Sequence, residues 1–191
     1  MKKLSLTLLA ATAALAAAAV HAEPATYAID PTHTFVTFEA QHFGTSTNRG
    51  RFDKKSGSIS LDKAAKTGKV DVTLDTDSIN TGTAPFDRHL KSKDFFNVEA
   101  FPKATFVSDK LVFEGEKVTA VVGTLTLLGK PQTVTLKAHN FNCYQNPMLK
   151  REVCGGDFDT TIQRSDFGMT YGLPGIPNDI HLVIQVEAVK Q

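Results

Sequence analysis

Histidine is the residue type in this chain best suited to chemistry. His33, His42, His89, His139 and His181 lie beyond the N-terminal apolar segment. An imidazole can move a proton near neutral pH, hydrogen-bond through either ring nitrogen, or ligate a metal. Scattered histidines can build a metal site if the fold gathers them, yet no two of these have the short spacing of a local ligand cluster. His139 and His181 fall on the polar phase of alternating segments. His33, His42 and His89 fall near segment ends or in a helical stretch, where hydrogen bonding to a polar group is the simpler use. The sequence carries no Gly-x-Ser-x-Gly elbow, no His-Glu-x-x-His, no phosphate-binding glycine loop and no calcium-loop pattern. It therefore offers no catalytic residues and no resident metal or cofactor by motif.

The segments that must position these side chains are mostly strand-like. Thr26–Ile29, Thr34–Ala40, Gly57–Leu61, Lys69–Leu74, Thr105–Val107, Leu111–Phe113, Val118–Leu128, Thr133–Asn140, Asp159–Gln163 and Ile180–Val189 are short β-prone runs. Clusters of Gly, Asn, Asp or Lys separate most of them. Several alternate cleanly, as in Val70, Val72 and Leu74 against Asp71 and Thr73, or Ile180, Leu182, Ile184 and Val186 in one register. Gly129-Lys130-Pro131 forms the corner of a hairpin, with Pro131 at the start of the returning strand because it has no N–H to give. Before that corner both faces are partly apolar, since Val118 and Val122 lie opposite Val121 and Leu125. Asp77–Lys93 breaks the rhythm. Pro85 and the pair Phe86/Leu90 predict a short helix over residues 84–92. The fold class is all-β, an antiparallel barrel or sandwich of about eight strands.

Composition narrows the function. Lys2-Lys3 followed by an Ala/Leu-rich run ending Val20-His21-Ala22 reads as a secretory signal, residues 1–22, which places the remaining domain, 23–191, in the periplasm. Without Lys2 and Lys3 the 21 basic residues fall to 19, against 20 acidic ones. A net charge of about −1 has no footprint for nucleic acid. Cys143 and Cys154 are not spaced as a Cys-x-x-Cys redox pair and have no zinc-ligand cluster beside them. In an oxidising compartment they are expected to form a disulfide, in a segment with few strand signals. Gly155-Gly156-Asp157 reads as a turn. Thirteen Phe stand against three Tyr and no Trp, which argues against the aromatic girdles of an outer-membrane barrel. Such a Phe set fits either a packed core or the wall of an apolar cavity.

Several collinear motifs resemble the YceI-like family of exported bacterial proteins, across Tyr27 to Ala188. They are Asp30-Pro-Thr-His33, His42-Phe43, Gly50-Arg-Phe52, His89-Leu-Lys-Ser-Lys-Asp-Phe-Phe96, Phe101-Pro-Lys-Ala-Thr-Phe106, the Gly123–Leu136 hairpin and Arg164-Ser-Asp-Phe-Gly168. Thr34 departs from the Ser often found after the first His, and the Cys143/Cys154 stretch looks like a subgroup feature. The resemblance implies a lipocalin-like barrel with an apolar tunnel, an isoprenoid ligand such as a quinone or polyprenyl phosphate, and a homodimer. It carries no catalytic residues. The apolar wall is then expected from Phe38, Phe43, Phe52, Leu90, Phe95, Phe96, Phe106, Leu125, Leu127, Phe141, Phe167 and Ile184. Polar contacts at the mouth are expected from His42, His89, Lys91 and Arg164. Two rival readings are a lipid- or quinone-modifying enzyme using His42 or His89, and an interaction module with a fully packed barrel.

Overall fold

The computed structural model describes residues 23–191; the signal segment expected over residues 1–22 lies outside them. Eleven strands form one antiparallel sheet: β1 (Ala25–Ile29), β2 (Phe35–His42), β3 (Ser46–Phe52), β4 (Lys55–Asp62), β5 (Thr67–Asp75), β6 (Ile79–Asn80), β7 (Lys103–Glu114), β8 (Lys117–Leu127), β9 (Lys130–Asn146), β10 (Arg151–Gln163) and β11 (Asp179–Lys190). Eight of them close on themselves in the order β1-β4-β5-β7-β8-β9-β10-β11, with β11 pairing back to β1. Closure removes free edges from the barrel. β11 is long enough to take two partners on one side. Its C-terminal half pairs with β1 and its N-terminal half with β2. From β2 the sheet continues through β3 to the two-residue β6, forming a flap that extends the barrel wall.

The expected helix forms as α1 (Ala84–Lys91), with Pro85 in its first turn, where a missing N–H costs nothing. The hairpin corner is a two-residue turn, Leu128 and Gly129, both at positive φ, the backbone that a tight hairpin requires. Four expectations need correction. Ser46–Phe52 is a strand, although its alternating residues are polar and give no apolar phase. Thr105–Val107 and Leu111–Phe113 belong to one strand, β7, interrupted by a register shift. Cys143 and Cys154 lie not in an irregular segment but directly opposite one another on β9 and β10, joined as a disulfide. Gly155 and Gly156 are not a turn; they sit inside β10. A Cβ there would lie 2.1 Å from the Val186 carbonyl oxygen and 2.0 Å from that of Asn140, so only glycine lets the three backbones come this close.

Register shifts explain why simple alternation fails on three neighbouring strands. β7 carries an extra residue between Val107 and Lys110, β8 one between Val118 and Ala120, and β9 one between Ala138 and Asn140. Each bulge turns the following side chains to the other face. The inward phase therefore switches from Ala104 and Phe106 to Leu111 on β7, and from Val134 and Leu136 to Phe141 on β9. On β8 both Val118 and Val121 point inward, which resolves the two apolar faces of that strand.

On the outside, polar side chains tie the flap to the barrel. His139 Nε2 lies 2.8 Å from Asp159 Oδ1, and His181 stands between Asp159 Oδ2 and Glu39 Oε2, each at 3.1 Å. Arg49 Nε donates to Glu39 Oε1 at 2.6 Å. The ladder crosses five strands, β9, β10, β11, β2 and β3. Both ring nitrogens of His181 face carboxylates, so the imidazolium is the form that satisfies both. Its pKa is raised accordingly, by Asp159 first and then Glu39. His33, in the opening Asp-x-x-His motif, serves a turn. Its Nδ1 lies 2.8 Å from Asp30 Oδ2, while Thr32 donates to Oδ1. The Thr32 hydroxyl first, then His33, hold the Asp30 carboxyl down at about 2.

Candidate functional site

Inward-facing residues of nearly every strand enclose one apolar cavity of about 630 Å³. That volume lies in the range of small-molecule sites and equals the room of roughly twenty waters at ~30 Å³ each. The barrel is thus not fully packed. Two wall phenylalanines are seated on glycines: a Cβ on Gly50 would meet the Phe38 ring at 2.5 Å, and one on Gly123 the Phe106 ring at 2.6 Å. Lacking side chains, these glycines let each ring lie close against the neighbouring strand, which keeps the lumen open where a β-branched residue would push the ring into it.

One end is closed. Tyr27, Leu61, Cys154 and Ala188 form the floor, and all are at least 95% buried. The Tyr27 hydroxyl donates to Glu152 Oε1 at 2.5 Å, and Lys63 Nζ lies 2.5 Å from Glu152 Oε2. Burial first, then the Glu152 bond, push the Tyr27 phenol well above its ordinary pKa. Burial also works to raise Glu152, but Lys63 and Tyr27 outweigh it and hold the carboxyl low. The floor is therefore a neutral phenol backed by a satisfied ion pair.

The other end is the mouth, at the edge of α1, the β2–β3 hairpin and the loop Met169–Asn178. Gln41, His42, Thr83 and Tyr171 line the cavity there and remain exposed. His89 Nε2 lies 3.0 Å from Asp94 Oδ2, and its ring meets Phe95 and Tyr171 edge-on at 5.0 and 5.2 Å. Among the described residues no side chain hydrogen-bonds the His42 ring. Among the described residues the cavity lining contains no Asp, Glu or Lys.

The structure places the expected wall residues Phe38, Phe52, Leu90, Phe95, Phe96, Phe106, Leu125, Leu127, Phe141 and Ile184 on the cavity surface, together with His42, His89 and Arg164. Three expected residues lie elsewhere. Phe167 is 1% exposed and packs in the core behind the wall, because the 3₁₀ turn Arg164–Phe167 faces it inward. Lys91 reaches outward to Asp77, 3.1 Å away. Phe43 sits at the tip of the β2–β3 hairpin, 65% exposed, at φ 50. Left-handed backbone costs a non-glycine residue ~1–2 kcal/mol, and the exposed ring returns little of that by burial.

Arg164 touches the cavity, but its guanidinium is committed to the fold. It donates from Nε to the Pro177 carbonyl at 3.0 Å and from its two terminal nitrogens to those of Met169 and Ile176, each at 3.1 Å. It thereby clamps both feet of the mouth loop. Burial pulls its pKa below the usual guanidinium range. Sequence reasoning missed other lining positions. Val70, Val72 and Leu182 were readable from alternation; Tyr171 and Ile176 come from an irregular loop with no periodic signal. Among the described residues no group of three or more His, Cys, Asp or Glu is placed to share a metal ion, and no helix is long and apolar enough to cross a membrane.

Known proteins resemble this chain in sequence or in fold. Protein YceI of Salmonella arizonae is 36% identical over 160 residues, covering 83% of each chain. The crystal structure of Burkholderia cenocepacia BcnA superposes with a TM-score of 0.69 at 25% identity, over 84% of this chain and 99% of that one. The Campylobacter jejuni YCEI protein gives a TM-score of 0.67 at 32% identity, over 79% of this chain and 90% of its own. A polyisoprenoid binding domain from Saccharophagus degradans shares the fold at a TM-score of 0.64 and 17% identity, over 88% and 100%. The YceI-like domain family matches residues 27–188, nearly the whole described barrel, and the chain belongs to that family.

Proposed function

We propose that this protein is a periplasmic, non-catalytic carrier that holds one isoprenoid lipid with its chain in the barrel and its head at the mouth. The carrying observation is the cavity itself: about 630 Å³, walled by Phe, Leu, Ile and Val, closed at one end and free of Asp, Glu and Lys. Some twenty buried carbons at ~0.8 kcal/mol per CH₂ contribute about 16 kcal/mol, which exceeds the ~4–15 kcal/mol cost of association. A polyisoprenoid-binding neighbour on the same fold is in keeping with this reading.

The polar groups at the mouth favour a neutral, quinone-like head over a phosphate. A phosphate at neutral pH carries a charge of roughly −1.5 to −2 and calls for Arg or Lys partners. Lys91 is turned away to Asp77, and Arg164 is engaged with three carbonyls. His42 and His89 can each give a hydrogen bond to a carbonyl oxygen of a ring head. The disulfide between Cys143 and Cys154 suits an oxidising compartment. Organic extraction of natively purified protein followed by mass spectrometry tests the assignment. A prenylated quinone in near-stoichiometric amount is the expected result. Recovery of polyprenyl phosphate would overturn the head-group choice, and repeated recovery of no lipid, with no uptake of added quinone, would overturn the carrier reading.

A further inference from the structure

A carrier of this kind faces a transfer problem, because a chain of some twenty carbons crosses water at a cost that grows with every CH₂. The mouth is built in a way that addresses it. Phe43 projects from the β2–β3 tip with its ring 65% exposed, in left-handed backbone, without lining the cavity. Its ring rests against Gly175 of the mouth loop, where a Cβ would come within 2.9 Å. Tyr171, on the same loop and at the cavity edge, is 47% exposed. Two partly exposed aromatic rings thus stand on the rim of the end away from the buried floor, Phe43 propped by His42 and Gly175 and Tyr171 by His89 and Phe95.

We infer that this rim docks on a lipid bilayer, with Phe43 and Tyr171 in the headgroup layer and the cavity mouth opening directly onto the acyl region. The proposal rests on the carrier reading and adds where the cargo is exchanged. Tyr suits that layer because its ring joins an apolar body to a polar tip, and Phe adds apolar area that inserts just below it. Among the described residues the cavity lining at the mouth holds no Asp, Glu or Lys, and its one Arg, Arg164, is engaged with three carbonyls. Apolar insertion rather than attraction to anionic lipid therefore drives the contact, and it is insensitive to salt. The opposite end of the barrel is the rival. There the β9–β10 tip exposes Met148 (88%) and Leu149 (50%) close to Lys150 and Arg151 in sequence. That tip fits a salt-sensitive, anionic surface, but it lies behind the floor of Tyr27, Leu61, Cys154 and Ala188.

The experiment compares the full protein with Phe43→Ser and Met148→Ser. Flotation with phosphatidylethanolamine/phosphatidylglycerol vesicles reads docking without reference to cargo. Transfer of a ubiquinone with four isoprene units from those vesicles to protein, followed by stopped flow, reads exchange. Affinity for the same quinone dispersed in detergent reads the cavity alone. Phe43→Ser is expected to lose co-flotation and to slow transfer roughly tenfold, the order expected when one aromatic ring no longer inserts, with unchanged affinity in detergent. Met148→Ser and added salt should alter neither. Wild-type rates in Phe43→Ser, or slowing by Met148→Ser instead, overturn the docking site. Failure of the wild type to take up quinone while still floating through Phe43 overturns the carrier reading and leaves the docking surface standing.

Discussion

Replacing Arg164 separates a clamp from a ligand contact. Its three hydrogen bonds reach carbonyls on Met169, Ile176 and Pro177, so one side chain fastens both feet of the loop that carries Tyr171 to the mouth. The side chain is 2% exposed, and among the described residues no carboxylate lies in salt-bridge range. In Arg164→Ala the bond to Met169 is lost in a buried setting, at about 1–3 kcal/mol for an unsatisfied acceptor, whereas water can reach the two part-buried carbonyls. Regained solvation of the loop offsets part of the loss, and a net destabilisation of about 2 kcal/mol is expected, seen as a drop in Tm of roughly 4–8 °C. Arg164→Lys should recover little. An ammonium is a point donor and cannot span three carbonyls that the planar guanidinium fork reaches together. Urea unfolding of both variants measures this, and quinone dissociation should quicken in both as the loop loosens. If Arg164 instead held an anionic head, Arg164→Lys would keep wild-type stability and most of the binding. That result would refute the clamp.

Three other substitutions test separate parts of the structure. His181 has a raised pKa and Asp159 and Glu39 lowered ones, held mainly by His181 and His139 for Asp159 and by Arg49 and His181 for Glu39. The His181 contribution is full below its unfolded value near ~6.5 and fades as pH rises through the raised one. The carboxylate part holds above ~4 and fades as pH falls. The stability gap between wild type and His181→Gln, followed by urea unfolding, should therefore peak near pH ~5–6 and shrink toward pH ~9, staying under about 1 kcal/mol because the side chain is 37% exposed; a gap that widens with pH contradicts the ladder. Joint replacement of Cys143 and Cys154 by Ala opens a bridge between residues 11 apart and should cost roughly 3 kcal/mol in urea unfolding, and an unchanged midpoint would show that the hairpin needs no bridge. Val186→Phe, on the wall of β11, takes the room of about four carbons, so a prenyl chain that fills the cavity should bind on the order of 100-fold more weakly. A chain two isoprene units shorter should lose little, and equal losses for both would mean that the cavity does not gauge chain length.

What the sequence made legible depended on unbroken alternation. β5 and β11 keep one phase from end to end, so Val70, Val72, Leu74 and the Ile180–Val186 series could be assigned to one face at once. β7, β8 and β9 defeat the same rule because each inserts an extra residue, and no side-chain type marks the insertion. β3 stayed hidden for a different reason. Its inward positions include Asn48 and Gly50, and Gly50 leaves its space to the ring of Phe38 on β2. The Arg164 and Phe43 positions stood out as motifs, but a motif carries no direction. Arg164 turned out to face three carbonyls of a loop with no periodicity, and Phe43 to face solvent.

The bulges also bear on how a barrel this small can hold a ligand at all. An eight-stranded barrel has an interior that side chains can just fill or that can hold one small ligand, so clearance decides which. Three adjacent strands, β7, β8 and β9, each gain a residue and coil more strongly. On the neighbouring β10, Gly155 lies against the β11 backbone and Gly156 against that of β9, where only bare backbone fits. Phe38 and Phe106 lie against glycines rather than reaching across the lumen. These features act on the same quantity, the clearance along the barrel axis, and they do so with backbone changes rather than with smaller apolar side chains. Trimming Phe to Ala would widen the lumen too, but at ~3–5 kcal/mol for each truncation in a packed wall. Seating the rings on glycine keeps their apolar area in the wall while leaving the lumen free. A variant that fills such a seat, Gly50→Ala, should push the Phe38 ring inward and weaken quinone binding more than it lowers stability, because the ring still has an empty lumen to move into. A loss confined to stability, with affinity unchanged, would show that the seat serves packing and not the cavity.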